Sequence, residues 1–200
     1  MRSHQGFGLI QVMEGYLPIA WRVCRAMDNP VRLKMLRALL TSRKPMTVGD
    51  ICSRVAEKES VTSQYLRMLN SQGFIAAARR GRYVLYERRK DAGRALARVM
   101  DEVAALCAHG GSEWIDAILS SLPAFSNARK VAILSTLRKE GGLKVDELAE
   151  RTCMPVKTCY RIVDELSRYG LVEWSGGEGG VTPTPPAKGF AKALYDLATA

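Results

Sequence analysis

The sequence predicts a mainly α-helical protein with small β-hairpins, built from two copies of one domain. Two segments about 97 residues apart, 50–75 and 147–172, share one pattern. Corresponding positions carry the same residue type: Val48 and Val145, Leu69 and Leu166, Gly73 and Gly170. Each copy has the order short helix, turn, second helix, glycine, apolar strand, which is the order of a winged helix-turn-helix. We therefore expect tandem winged helix-turn-helix domains.

The length of 200 residues suits two such domains, since about 100 residues form a self-sufficient core. Helical spacing of apolar residues continues to about residue 108, and the glycine pair Gly110-Gly111 then ends the helix. Ser112 is suited to cap the helix that follows. We place the domains at 1–110 and 111–200.

Positive charge is concentrated in the first half of the chain. Residues 1–110 carry 19 Lys/Arg and 9 Asp/Glu, whereas residues 111–200 carry 11 of each. Lys and Arg release counterions when they meet phosphates, so a basic half indicates a polyanionic partner. The uneven division predicts different roles for the two copies.

The composition argues against several classes of protein. No apolar run reaches the ~18 residues of a membrane span, and the N-terminus has no export signal. The five cysteines contain no C-x-x-C pair and are expected to be reduced thiols in a cytoplasmic protein. With two histidines and no nucleophile motif, phosphate-binding loop or metal cluster, the sequence predicts neither an enzyme nor a bound cofactor.

The second helix of the first copy has one apolar edge and one polar edge. Thr62, Leu66 and Leu69 are spaced i, i+4, i+7 and should face the core. The opposite edge, with Tyr65 at its margin, presents groups suited to DNA: Ser60, Val61, Ser63, Gln64 and Arg67. Gln and Arg form paired hydrogen bonds with base edges, and Ser bonds to bases or phosphates. We expect Ser60, Ser63, Gln64 and Arg67 to contact DNA in the major groove.

A basic hairpin follows this helix. Strands at 74–78 and 83–88 are expected to flank a tip formed by residues 79–82. The tip places Arg79, Arg80 and Arg82 around one glycine, where their charges repel one another unless an anion is bound. Further basic residues follow at 88–90. We expect the three tip arginines to lie along the DNA backbone or enter the minor groove.

The second copy changes each of these features. Its buried edge becomes Cys159, Val163 and Leu166, and its outward edge carries Lys157, Thr158, Tyr160 and Arg161. Asp164 stands where Arg67 stands in the first copy, and Glu178 lies among glycines at the wing tip. The outward residues are candidates for DNA contact. The sequence leaves two interpretations open, weak DNA binding and a dimerisation or partner-binding module.

Three segments of the first copy (28–40, 62–75 and 80–86) resemble the ArsR-type bacterial repressors, and the likeness spans roughly residues 16–108. This resemblance implies binding to operator DNA, usually as a dimer formed by the first and last helices of the domain. Here those helices would be 17–27 and 91–108. Residues 146–172 resemble the winged-helix segment of IclR-type or MarR-type regulators.

Many ArsR-type proteins sense metals, and this sequence lacks their ligand patterns. Where the family often has Cys-x-Cys, Cys52 is followed by Arg54. The other familiar site lies on the last helix, where only Asp101 and His109 are present, eight residues apart. A metal requires three or four ligands. We therefore expect no metal site, and we interpret the thiols as packing residues rather than a Cys52–Cys107 switch.

The sequence thus predicts a non-enzymatic transcriptional regulator, a repressor that binds double-stranded DNA. The alternative is a tandem winged-helix scaffold that binds other proteins without sequence-specific DNA binding. Whether one chain mimics a dimer or two chains pair through helices 17–27 and 91–108 stays open. The sequence identifies neither the operator nor the effector.

Overall fold

A computed structural model describes residues 19–108, 111, 113–176 and 179–200. Several sequence expectations concern residues outside these ranges: the start of helix 17–27 at residues 17–18, His109, Gly110, Ser112 and Glu178. The described chain forms two compact units. One comprises residues 25–120, and the other comprises residues 121–200 together with the described residues up to Cys24. The division at 110/111 stays a prediction.

The first unit contains helices and a three-stranded antiparallel sheet. Its elements in chain order are α1 (Ile19–Met27, which begins in the other unit), α2 (Pro30–Leu40), β1 (Met46–Thr47), α3 (Val48–Val55), α4 (Glu59–Ser71), β2 (Ile75–Arg80), β3 (Tyr83–Arg88), α5 (Arg94–Ala108) and α6 (Glu113–Ser121). The strand order is β1-β3-β2, and Ala77 pairs with Tyr86. The helix pair α3–α4 with the hairpin β2–β3 is the winged helix-turn-helix predicted from the sequence.

Two helix starts of this unit depend on side-chain caps. The Asn29 side chain accepts hydrogen bonds from the Val31 and Arg32 amides at 2.9 and 3.1 Å, and Pro30 occupies the first turn. At α3, Thr47 and Asp50 bond each other's backbone amides at 3.2 and 2.8 Å. This reciprocal capping box fixes where α3 begins.

The second unit repeats the arrangement. After a short 3-10 turn (Leu122–Ala124) come α7 (Ala128–Glu140), β4 (Leu143–Lys144), α8 (Val145–Arg151), α9 (Val156–Arg168), β5 (Val172–Trp174), β6 (Gly180–Pro183) and α10 (Gly189–Thr199). The strand order β4-β6-β5 matches that of the first sheet. The apolar edge of α10 is buried through Phe190, Leu194 and Leu197.

Two expectations about the elements need correction, and two short strands were missed. The first wing strand, expected at 74–78, runs from Ile75 to Arg80, so the tip is the two-residue turn Gly81-Arg82, and Arg79 and Arg80 lie in β2. The second wing strand lies at 83–88, as predicted. The helix expected at 91–108 begins at Arg94, because Gly93 supplies the first helical carbonyl, to the Ala97 amide at 3.0 Å. The sequence also did not predict β1 and β4, since two residues are too few for an alternating pattern.

Candidate nucleic-acid interface

The recognition helix α4 buries one edge completely. Thr62, Leu66 and Leu69 are each 0% exposed, which confirms the predicted core-facing edge. Beyond the helix end, Gly73 has φ 84°, a left-handed conformation that glycine adopts without a steric cost. The chain then turns directly into Phe74 and Ile75, which are both buried. The opposite edge of α4 is consequently held outward by a well-packed core.

The predicted contact residues of α4 lie on or near this outward edge. Ser60, Gln64 and Arg67 are exposed, whereas Ser63 is half-buried. The Nε atom of Arg67 donates to the Ser63 carbonyl oxygen at 3.3 Å, which aligns the guanidinium along the helix. Glu59 opens the helix, where a carboxylate complements the helix dipole. The helix thus offers an amide, a hydroxyl and a guanidinium to solvent, and these groups match base edges and phosphates.

The wing presents its three arginines without carboxylate partners. Arg79, Arg80 and Arg82 are all exposed, and none forms an ion pair within the described ranges. Gly81 has φ 60°, as the first central residue of a tight hairpin turn requires. The Arg79 Nε donates to the Gly81 carbonyl oxygen at 3.3 Å. This geometry keeps three uncompensated positive charges within a few residues.

The basic residues after the wing have a different environment. The Arg88 guanidinium pairs with Asp101 of α5 at 2.6 Å, and Arg89 lies 3.7 Å from the carboxylate of Asp91. Sequence reasoning grouped Arg88 with the tip because it could not detect a partner 13 residues away. The charges of Arg88 and Arg89 are compensated within the fold, whereas Lys90 is exposed like the tip arginines.

The wing also carries two exposed apolar side chains that sequence reasoning missed. Tyr83 is 51% exposed and Val84 is 39% exposed; as successive residues of β3 they lie on opposite faces of the hairpin. The Arg82 guanidinium carbon lies 4.9 Å from the centroid of the Tyr83 ring, and Arg80 pairs with Tyr83 across the hairpin. Alternation along β3 could have found Tyr83, because Tyr86, three residues on, is the buried one. Proteins that enter the minor groove use such apolar side chains beside Arg.

The corresponding helix of the second unit, α9, presents fewer free groups. Cys159, Val163 and Leu166 are fully buried, as predicted. Lys157 and Arg161 are exposed, whereas Thr158 and Tyr160 are half-buried. The Tyr160 ring packs against Trp174 of β5, with centroids 5.9 Å apart and planes tilted by 52°. The four candidate residues therefore divide into two exposed cations and two partly packed side chains.

Ion pairs compensate five of the eleven Lys and Arg residues at 121–200 in the second unit. Asp164 pairs with Arg168 one turn away, so its charge is offset along the helix. Ion pairs also join Lys130 to Glu165, Arg151 to Glu140, and both Arg138 and Lys192 to Asp196. These five cations hold the fold together.

Thiols and metal ligands do not assemble into a site within the described ranges. No group of three His, Cys, Asp or Glu side chains there could hold a metal ion. Burial raises the pKa of Cys107 and of Cys159 to about 11, so both are protonated at neutral pH. Cys52 is half-buried, and Cys153 is exposed. The described helices also include none long and apolar enough to cross a membrane.

Comparison with known proteins finds a family model that matches part of each unit. Residues 29–77 match the model of bacterial regulatory proteins of the arsR family, and residues 126–173 match that of winged helix-turn-helix DNA-binding domains. No curated protein matches the chain. Both matched segments contain the helix pair and the start of the first wing strand described above. The chain has tandem winged helix-turn-helix domains typical of DNA-binding regulators, and the first of them is similar to the arsR family.

Proposed function

We propose that this protein is a transcriptional repressor whose first domain supplies most of its affinity for duplex DNA. One observation carries the proposal: three exposed wing arginines lack acidic partners among the described residues, in the domain that matches the arsR family. Helix α4 would enter the major groove with Ser60, Ser63, Gln64 and Arg67 towards the bases. The wing would lie against the adjacent backbone or minor groove.

The second domain would contribute fewer contacts. Lys157 and Arg161 are its exposed recognition-helix cations, and Thr158 and Tyr160 would add polar contacts beside them. We place the two functional domains at 1–110 and 111–200. The activity is regulatory rather than enzymatic, and it belongs in the cytoplasm, where the DNA is accessible.

The oligomeric state is a separate part of the proposal. The ArsR resemblance implies a homodimer through helices 17–27 and 91–108, whereas a chain with two winged domains can also bind DNA as a monomer. About half of the apolar residues described in these helices are buried, and Ile19 is 48% exposed, whereas Leu96 and Leu106 are half-buried. Apolar area is therefore available for a second chain. The protein's mass in solution, with and without DNA, separates the two: a doubled mass indicates the homodimer, and the mass of one chain indicates the monomer.

Binding measured at several salt concentrations tests the proposed interface. Replacing Arg79, Arg80 and Arg82 by Ala should flatten the plot of log affinity against log salt, by about 0.9 for each phosphate that the variant no longer neutralises. A matched control removes three exposed cations from the second unit, Arg129, Lys139 and Lys188, and so changes net charge equally. The control should keep the wild-type slope. Equal slopes for both variants would argue against the wing.

A transcription assay separates repressor from scaffold. The bound sites should overlap promoters, and deleting the gene should raise expression from them. The alternative function, a protein-binding scaffold, predicts that no duplex is retained even at low salt.

A further inference from the structure

Arg32 connects three helices of the first domain. It lies in the first turn of α2, where its Nε donates to the Ala26 carbonyl oxygen at 2.7 Å. A terminal nitrogen donates to the Arg25 carbonyl oxygen at 2.9 Å. Both carbonyls belong to the last turn of α1, where no further helical amides exist to bond them. The guanidinium carbon lies 5.3 Å from the ring centroid of Tyr65 on α4.

The hydrogen bonds to the two carbonyls and the contact with the Tyr65 ring depend on the planar shape of the Arg32 guanidinium. Its edge carries the donors that reach the two carbonyls, while its face stacks on an aromatic ring. An ammonium group is a compact charge and cannot do both with the same alignment. Burial lowers the pKa of Arg32, because the charged group loses part of its contact with water. The side chain is therefore committed to the fold rather than displayed on a free surface.

The second domain has a corresponding cation, which supports a positional role. Lys130, in the first turn of α7, donates to the Pro123 carbonyl oxygen at 2.9 Å and pairs with Glu165 of α9. Its ammonium lies 5.7 Å from the Tyr169 ring. In both domains a cation thus connects the recognition helix to the backbone that precedes another helix, which is α2 in the first domain and α7 in the second. The partner on the recognition helix is a carboxylate in the second domain and an aromatic ring in the first.

We propose that Arg32 is a positioning residue for DNA recognition, holding α4 against the end of α1 through the ring of Tyr65. Tyr65 follows Gln64 directly and lies two positions before Arg67, so a change in its support alters how both side chains approach base edges. The proposal rests on the proposed function, because it concerns how accurately the same helix meets DNA. It predicts that Arg32 affects sequence discrimination without itself contacting a phosphate.

The test uses the full-length protein and a duplex that the wild type selects from a random-sequence pool, with a scrambled duplex for comparison. Arg32→Gln and Tyr65→Leu should each weaken binding to the selected duplex by about 5- to 10-fold. Binding to the scrambled duplex should change by less than about 2-fold, and the salt slope should stay at its wild-type value. The double variant should lose no more than either single variant, since both changes break one interaction.

Two conservative variants control for misfolding and for the chemistry of the side chains. Tyr65→Phe keeps the ring and should bind both duplexes as the wild type does. Arg32→Lys keeps the charge but not the planar fork, and should resemble Arg32→Gln. Thermal unfolding of each variant shows whether it is folded at the temperature of the binding assay.

Several results would overturn the proposal. A salt slope lower by about one log unit in Arg32→Gln would make Arg32 a direct phosphate ligand. Equal weakening on both duplexes would make it a stability residue only, and abolished binding in Tyr65→Phe would assign the effect to the tyrosine hydroxyl. If the wild type selects no duplex, the proposed function itself fails. If the wild type selects a duplex and the Arg32 and Tyr65 variants bind it equally well, only the role proposed for Arg32 fails.

Discussion

The two winged domains share helix order and sheet topology, yet they use their charged residues differently. The first leaves the arginines of its wing without carboxylate partners among the described residues. Among its described residues the second pairs five of its eleven cations, including one on its recognition helix, and leaves Lys157 and Arg161 exposed. Fold alone does not determine function, so the pairing of each cation distinguishes a binding surface from a structural one. A count of Lys and Arg would miss this difference, because Arg88 and Arg89 count as basic yet are already paired.

The largest expected difference concerns the two recognition helices. Arg67→Asp should reduce affinity for the selected duplex by about 100-fold, because a guanidinium that bonds to a base or phosphate is replaced by a repelling charge. Arg161→Asp makes the same charge change at an exposed position of α9, and we expect a loss of less than about 10-fold. Fluorescence anisotropy at one fixed salt concentration measures both. Equal losses would show that the two recognition helices contribute equally to DNA binding, and would contradict the proposed difference between the domains.

The next effect concerns stability rather than binding. Lys130 is 8% exposed at its side chain, and Lys130→Met leaves the Glu165 carboxylate without its cation. Breaking a buried pair costs about 3–5 kcal/mol. The cost here should be nearer ~2 kcal/mol, because Glu165 is about one-third exposed and solvent screens it. Urea unfolding measures the loss.

The same variant should leave the salt slope of DNA binding unchanged, since Lys130 is buried and its charge is directed inward. A lower slope would place this lysine at the DNA instead. Unaltered stability would mean that the pair with Glu165 contributes nothing to the fold.

Structural features that depend on neighbouring residues could be predicted from local patterns in the sequence. The spacing of Thr62, Leu66 and Leu69 predicted the buried edge of α4, and the matching spacing of Cys159, Val163 and Leu166 predicted that of α9. Contacts between distant positions could not be predicted in this way. The pairing of Arg88 with Asp101 and the packing of Tyr160 on Trp174 depend on how separate elements meet, and each changes which side chains are free.

A smaller effect is expected at the first position of the two buried edges, where the residue type differs. Thr62 is fully buried and its hydroxyl has no hydrogen-bond partner among the described residues, whereas Cys159 occupies the corresponding position of the second domain. A buried unsatisfied hydroxyl costs about 1–3 kcal/mol. Thr62→Val keeps the shape and should raise the free energy of unfolding by about 1 kcal/mol. Thr62→Ser retains the hydroxyl, removes a methyl group and should destabilise; a loss of stability in Thr62→Val would mean that the hydroxyl is satisfied.

The smallest expected effect concerns the caps of α3 and α8. Lys144 occupies the position of Thr47, and its amide donates to Glu147 at 2.9 Å, but a lysine side chain has no acceptor to return the bond. Lys144→Thr should complete the box and stabilise the second domain by about 0.5–1 kcal/mol, which thermal or urea unfolding would measure.

Acid should affect the cap of α3, in which Thr47 and Asp50 bond each other's amides, differently from the cap of α8, in which only Glu147 accepts such a bond. In the first domain the hydrogen bonds from Thr47, chiefly from its backbone amide, hold the pKa of Asp50 below its usual value. A folded-state pKa below the unfolded one means that this stabilisation is present above about pH 4 and is lost as the pH falls through the folded pKa. The stability difference between wild type and Asp50→Asn should therefore shrink in acid, as unfolding curves between about pH 7 and pH 3 would record. A difference that does not vary with pH would mean that the carboxylate charge plays no part in the cap, and that Thr47 alone distinguishes the two helix starts.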